Sequence, residues 1–577
     1  MSVSSPKYFK DLNPCIDAII DEVGKKVVVA GGFGMPRHIF NGLYERALVD
    51  TEIQLTIITG MSINKPRASS DLEKRFLEPF ADRVFGNLPD LAYLTPYKKQ
   101  QLPKNIEIVE IFFQAGAFLG NANAQQNYIY SNFTHWLRDM ISLGCNVFGQ
   151  SICSKMIDGE RTFSMSADAY AQDIFPRIKQ LKASGIPAIV VGQVNEDVPF
   201  MYNDAIVPEE TYDIILDNPV YNHTVLSPPS PAVDTTNYMI GLNASALVAD
   251  GSTLQVGIGA LGDALTYGCI LREKNNSVYK EIFSKLGITR NFSDEINSCG
   301  GMEPFDEGLY GSTEMFADCF RHLIDNDILK REVYDSVVIQ RLLNEKKITK
   351  KVTSKTLATL VDEGGVSAQL TAADLVFLCR FGIFKEGVTL SDGMLCAPDG
   401  TDIKADLNDK EAKESICNTC LGSELKGGIV LHAGFFLGPA AMYEALRNMP
   451  EAESKRICMT DISYVNHLYG CQEIASLQRK KARFINTTCM VTLLGAACSD
   501  GLEDGRKISG VGGQYNFVAM APELEDGRSI LMCRSTRTKG DTVTSNLVWN
   551  YGHTTIPAHL RDIVVTEYGI ADIRSKR

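Results

Sequence analysis

The chain is poor in the features that would assign it to a special class. It has 2 Trp and 8 His in 577 residues. Basic residues are in deficit, 57 Lys+Arg against 70 Asp+Glu, and the net charge of −13 opposes binding to the phosphates of nucleic acid or to an anionic membrane. No apolar run is long enough to span a bilayer: the nearest, Gly427 to Tyr443, is too short and is interrupted by His432, Gly434, Gly438 and Pro439. Between Met1 and Gly24 the residues Lys7, Lys10, Asp11, Asp17, Asp21 and Glu22 precede any apolar block of signal-peptide length, so a cytoplasmic location is expected. The 15 cysteines are odd in number and irregularly spaced, which fits free thiols better than a disulfide framework. One CxxC, Cys417 to Cys420, has no second pair and no CxxH companion, and no metal is expected there.

What remains is an ordinary globular composition, 45% hydrophobic and 22% charged, in a chain long enough for two or more domains. Lys25 to Ala30 is a short β-branched run that ends in Gly31-Gly32-Phe33-Gly34-Met35-Pro36, after which Ile39, Leu43 and Ala47 recur at helical spacing. Similar runs follow at Ile53 to Thr59, Ile106 to Phe113, Asn146 to Ile152 and Ala188 to Val194, each separated by a helix-length stretch. Ser252 to Ile258 starts the pattern again, and later runs are Gly428 to Ala433, Ser529 to Cys533 and Asp562 to Thr566. The alternation predicts an α/β fold: two related open α/β domains, mostly parallel, with an inserted subdomain in the second half. The Asn/Pro/Ser-rich stretch Asp217 to Asp234 sets the expected boundary, giving domains 1–235 and 236–577. A Lys/Glu-rich texture between about Asp325 and Gly427 reads as an insertion.

Three glycine-rich turns follow apolar strands: Gly31 to Gly34, Gly257 to Gly262, and Gly510-Val511-Gly512-Gly513. Such turns uncover backbone N–H groups to a phosphate or an oxyanion. The spacing Gly257-Ile258-Gly259-Ala260-Leu261-Gly262 matches a dinucleotide fingerprint in its glycines alone, since no acidic residue ends a second strand about twenty residues on. Ser312 is a candidate helix N-cap, with Glu314 in the first turn of a helix running through Met315, Phe316, Cys319, Phe320 and Leu323.

Four motifs in order carry a resemblance: Leu254-Gln255-Val256-Gly257-Ile258-Gly259-Ala260-Leu261, Ser312-Thr313-Glu314-Met315-Phe316, Ser509-Gly510-Val511-Gly512-Gly513-Gln514, and Val565-Thr566-Glu567-Tyr568-Gly569-Ile570-Ala571-Asp572. With them the chain resembles the acetyl-CoA hydrolase/transferase family, a group of class I CoA-transferases. The resemblance is densest from Gly428 onward, good over 237–325, and weaker in the first half, where Val194-Asn195 and Asp204 to Asp213 match. It implies coenzyme A as part of an acyl-CoA substrate and a free carboxylate as its partner, with Glu314 as the catalytic nucleophile. Backbone N–H groups of Ile258 and Gly510 would be the oxyanion donors, and the turn Gly257, Ile258, Gly259, Ala260, Leu261 would contact CoA. Asn486 and Lys539 match positions near the cofactor, and Asn466 and Glu567 match auxiliary polar residues. A homodimer is implied, together with helices beyond Arg577.

Relative to shorter members the chain has insertions near 271–306 and 331–427, Gly262 stands where Pro is usual, and Tyr310-Gly311 stands where an apolar residue and His are common. The expected activity is CoA transfer. Acyl-CoA hydrolysis at the same site is the alternative, and a non-catalytic CoA-binding subunit is the third reading. Arg37, after the first glycine turn, is a candidate anchor for an acceptor carboxylate.

Overall fold

A computed structural model describes residues 5–228 and 231–575. In the first sheet the strands lie in the order Lys7–Phe9, Ile214–Leu216, Ile189–Val194, Val147–Ile157, Lys26–Ala30, Gln54–Thr59, Ile106–Glu110, and all of these neighbours are parallel. Glu160–Ser164 and Ile206–Val207 add an antiparallel flap to Val147–Ile157. The central strands read as unbroken Val/Ile runs because both faces are buried: helices Leu12–Val23 and Arg37–Val49 pack on the face of Val27, Val29, Leu55 and Ile57, and Val28 and Ile58 on the opposite face are buried as well.

The second sheet has the order Ile457–Met459, Leu431–Phe436, Tyr310–Phe316, Thr253–Val256, Arg483–Thr487, Arg528–Met532, Ile563–Thr566, Gly569–Asp572. It is parallel except for the last hairpin. The first sheet ends at Leu216 and the second begins at Thr253, and both belong to one compact unit made of Met1–Lys330, Leu431–Tyr469 and Lys481–Arg577. Helix Thr235–Ser245 opens the second half, with the Asp234 side chain accepting from the Asn237 N–H at 2.9 Å.

Segment 271–306 begins inside helix Ala260–Lys274 and continues as helices Asn276–Lys285, Ile288–Asn291 and Ser293–Cys299. Its anchor is Arg272, 1% exposed, whose guanidinium donates to the carbonyls of Glu303 and Val248 and stacks over the Phe305 ring at 4.2 Å. A charged group is tolerated there because backbone carbonyls accept its protons.

The second unit is Arg331–Val430 with Gly470–Lys480. Helices Val337–Asn344, Ser354–Asp362, Ala372–Arg380 and Lys410–Thr419 and a three-stranded antiparallel sheet enclose a core of Leu342, Leu357, Leu360, Leu378, Ile383, Leu395 and Ile416. Thr353 and Thr371 each close a capping box. Among the described residues no helix is long and apolar enough to cross a membrane. No group of three or more His, Cys, Asp or Glu is arranged among them to hold a metal.

Candidate active site

Glu314 is not in a helix. Tyr310–Phe316 is a strand in the middle of the second sheet, in register with Leu431–Phe436 on one side and with Thr253 and Leu254 on the other, and the helix begins later, at Asp318. The expected N-cap, Ser312, is fully buried opposite His432. The short polar run Ser-Thr-Glu looks like a helix start in isolation, yet Ser312 and Thr313 pair with His432 and Ala433, Tyr310 and Gly311 just before them pair with Thr253 and Leu254 on the other side, and tertiary pairing overrides the local capping preference.

This placement brings Glu314 to the carboxyl end of its strand, where ligands bind in open α/β sheets. Strand Thr253–Val256 gives way there to Gly257-Ile258-Gly259, and strand Leu431–Phe436 to Leu437. From the first sheet the segments after three strands, Gly31–Phe33, Gly60–Met61 and Ile111–Phe112, reach the same cavity. The enclosure holds about 110 Å³ and is completed by Phe133, Trp136, Tyr170, Phe435 and Gly512.

Glu314 lines this cavity half-buried, and its carboxylate is held by two donors. Asn466 Nδ2, on helix Ile462–Asn466, donates to Oε2 at 2.5 Å, and the backbone N–H of Gly513 donates as well. Burial pushes the carboxyl pKa up to about 7, and the Asn466 and Gly513 donors pull against that rise. Gly513 has no room for a side chain: a Cβ there would collide with Glu314 Oε2 and Asn466 Nδ2. Its loop is tied to the first half of the chain, Phe133 N–H donating to Gly512 O at 3.2 Å and Gly116 N–H to Ile508 O at 2.8 Å.

Of the residues read from sequence, the fold brings together Glu314, Asn466, Ile258 and the Gly510–Gly513 loop. The amide that reaches Glu314 belongs to Gly513, three residues beyond Gly510. Gly510 is buried where a Cβ would enter the Phe112 ring, so its missing side chain lets Phe112 form the cavity wall. Ile258 is 43% exposed and borders both this cavity and a wider one of about 400 Å³ lined by Asp263, Tyr267, Asp318 and His322. Gly257 and Gly259 have open space where a Cβ would stand, Gly259 at φ 120°, while Ala260 and Leu261 form the first turn of the next helix. Gly262, which stands where proline is usual, packs on the Gly257 carbonyl, too close for a Cβ.

The other expected residues lie outside the cavity lining. Asn486 exchanges amide hydrogen bonds with Gln255 on the adjacent strand, at 3.1 and 3.3 Å. Lys539 is exposed at the tip of the hairpin Thr536–Lys539/Thr542–Ser545. Glu567 accepts from the Ser535 N–H at 3.0 Å and from the Ser535 hydroxyl; burial raises its carboxyl pKa, and the Ser535 bonds outweigh that and hold it below the usual range. Arg37 is buried with Nη1 donating to the carbonyls of Ile63 (3.1 Å) and Pro89 (2.8 Å), and burial lowers its pKa to about 10. It fixes the loop behind the cavity wall and is not directed at an acceptor.

The first glycine turn is held by protein, not left open for a phosphate. Gly34 N–H donates to Asp168 Oδ1 at 3.1 Å, and the Tyr170 hydroxyl occupies the space above Gly32. Asp168 is 1% exposed and burial drives its pKa up to about 7. Neither residue stands in a motif, and of the aromatic lining from the first half Phe33 and Phe112 follow strands while Phe133, Trp136 and Tyr170 sit in short helices that no motif marks.

Residues 438–577 match the acetyl-CoA hydrolase/transferase C-terminal domain. Over 164 residues the chain is 29% identical to the 4-hydroxybutyrate coenzyme A transferase of Clostridium kluyveri, an alignment covering 26% of this chain and 36% of that protein. The chain thus spans about a third of the length of that relative in matched sequence. Over the whole chain the structure is similar to RipA from Yersinia pestis (TM-score 0.56, 16% identity, 99% of this chain and 90% of that one). It is also similar to a 4-hydroxybutyrate CoA-transferase from Porphyromonas gingivalis (TM-score 0.51, 14% identity, 99% and 91%). At such identities the likeness is one of fold. Residues 438–577 thus match the acetyl-CoA hydrolase/transferase C-terminal domain, in a chain whose α/β fold as a whole is similar to that of the Porphyromonas gingivalis 4-hydroxybutyrate CoA-transferase.

Proposed function

We propose that the protein is a CoA-transferase that moves coenzyme A from an acyl-CoA to a free carboxylate through a glutamyl-CoA thioester on Glu314. The observation that carries this reading is the Glu314 carboxylate, raised to a pKa of about 7 and fixed by Asn466 and Gly513 at the mouth of an enclosed, almost wholly apolar cavity. A carboxylate in water is a weak nucleophile; one stripped of most of its hydration and oriented by two donors attacks a thioester carbonyl more readily.

In the first step a Glu314 oxygen bonds to the acyl carbonyl carbon, the C–S bond breaks, and CoA leaves as the thiolate, giving a mixed anhydride. The thiolate then attacks the glutamyl carbonyl, the anhydride C–O bond breaks, and the free acid departs as its carboxylate. The acceptor carboxylate runs the two steps in reverse, so no net proton or water is consumed. The backbone N–H of Ile258, in the open Gly257–Gly259 turn bordering both cavities, is the proposed donor to the developing oxyanion. The wider cavity gives the CoA arm a route that leaves the acyl group in the enclosed one.

Hydrolysis at the same residues needs water to reach the thioester, and an enclosed apolar pocket works against it. Exchange separates the two. Incubating butyryl-CoA with isotopically labelled butyrate, a transferase moves label into butyryl-CoA without a second acid, whereas a hydrolase releases CoA and leaves the thioester pool unlabelled. Retained Glu314, with both its donors in place, opposes a purely binding role.

A further inference from the structure

We infer that the acyl cavity selects short, uncharged, apolar monocarboxylates, in donor and acceptor alike; this rests on the transfer reaction proposed above and adds its substrate class. The wall is a set of mutually packed rings. Phe33 stacks on Phe435 at 4.6 Å, and Phe133 and Tyr170 meet the same Phe435 edge-on at 5.4 and 5.7 Å. Trp136 backs Tyr170 at 5.5 Å, and Phe112 closes the side beneath the Gly510 loop. Tyr170 contributes ring rather than hydroxyl, since its oxygen lies over Gly32, within reach of the Phe33 backbone and Asp168.

Glu314 alone carries charge on this lining, and among the described residues no Lys, Arg or His reaches it. Arg37, the cation best placed by sequence, is tied to the Ile63 and Pro89 carbonyls. Of the buried ionisable groups behind the wall, Asp168 and Glu110 are acids, and Arg37 is committed to backbone carbonyls. The distal carboxylate of a dicarboxylic acyl group would therefore enter a ring-lined space beside Glu314 with no counter-ion, an arrangement that strongly disfavours binding. Size narrows the class further: a cavity of roughly 150 Å³ accommodates benzene, so about 110 Å³ suits an acyl chain of four or five carbons at most. The departing acid and the incoming acceptor occupy this space in opposite half-reactions, so the same filter acts on both.

The test is kcat/KM of the full chain with acetyl-, butyryl-, hexanoyl- and succinyl-CoA as donors, and with butyrate and succinate as acceptors. Butyryl-CoA is expected to exceed succinyl-CoA by about 100-fold or more, with a gain of about 4-fold per methylene from acetyl to butyryl. Ile111→Ala, which removes a partly exposed side chain from the wall, is expected to move the optimum toward hexanoyl-CoA. Succinyl-CoA turned over within about tenfold of butyryl-CoA, or succinate accepted as readily as butyrate, overturns the inference. A failure of every acyl-CoA to exchange, with no adduct on Glu314, overturns the transfer reading itself.

Discussion

At the residue scale the proposed chemistry depends on one carboxylate and its two donors. Because burial holds the Glu314 pKa near 7, the nucleophilic form is lost as pH falls, and kcat/KM is expected to drop with unit slope below about pH 7. Asn466 favours the ionised form. Asn466→Ala is therefore expected to shift that acid limb upward and to lower kcat/KM at pH 7 by about 10- to 100-fold. A residue that merely held the fold would lower the rate at every pH without moving the limb, so the pH profile separates the two roles. Gly513→Ala places a methyl group against both Glu314 and Asn466 and is expected to cost at least about 100-fold with little change in melting temperature.

At the scale of elements, most strands are legible in the sequence because parallel strands buried on both faces appear as apolar β-branched runs: Lys25 to Ala30 becomes strand Lys26–Ala30, and Ile53 to Thr59 becomes Gln54–Thr59. The strand that carries Glu314 breaks that rule. Its residues 312–314 are Ser, Thr and Glu, polar because the strand end meets the site, and local pattern favours a helix cap there until the neighbouring strands are known. The candidate site was legible through motifs in the second half and nearly silent in the first, where Phe112 follows a strand, Trp136 opens a helix and Tyr170 lies in a 3-10 helix, and no spacing rule links them. Arg272 is a similar case. It looks like a surface residue of an amphipathic helix, yet it anchors segment 271–306 through the Glu303 and Val248 carbonyls. Replacing it with Met keeps the volume but strands those carbonyls, and is expected to lower the unfolding free energy by about 2–4 kcal/mol, measured by denaturant titration.

On the scale of the whole molecule, buried acids set the response of stability to pH. Burial raises Glu110 to about 8 and Asp168 and Glu314 to about 7, so the folded state keeps protons that the unfolded chain gives up above about pH 4.5. Their contribution is complete below the unfolded pKa and is lost as pH rises through the folded values. His223, lowered to about 4 by burial, acts in the opposite sense up to its unfolded pKa of about 6.5. With three such acids against one histidine, the net expectation is a melting temperature that falls from about pH 4.5 to about pH 8. Glu110→Gln, which keeps the neutral shape, should flatten that fall, gaining about 1–2 kcal/mol at pH 8 and little at pH 5.

The central claim, a covalent route through Glu314, is tested most directly by intact mass after incubation with butyryl-CoA and brief borohydride treatment, comparing wild type with Glu314→Ala. Reduction of a glutamyl thioester to the alcohol exchanges one carboxylate oxygen for two hydrogens. A corresponding mass loss in the wild type alone, mapped to the peptide containing Glu314, is the result expected. Turnover of butyryl-CoA with no mass change in either protein, or with full activity retained in Glu314→Ala, would contradict it.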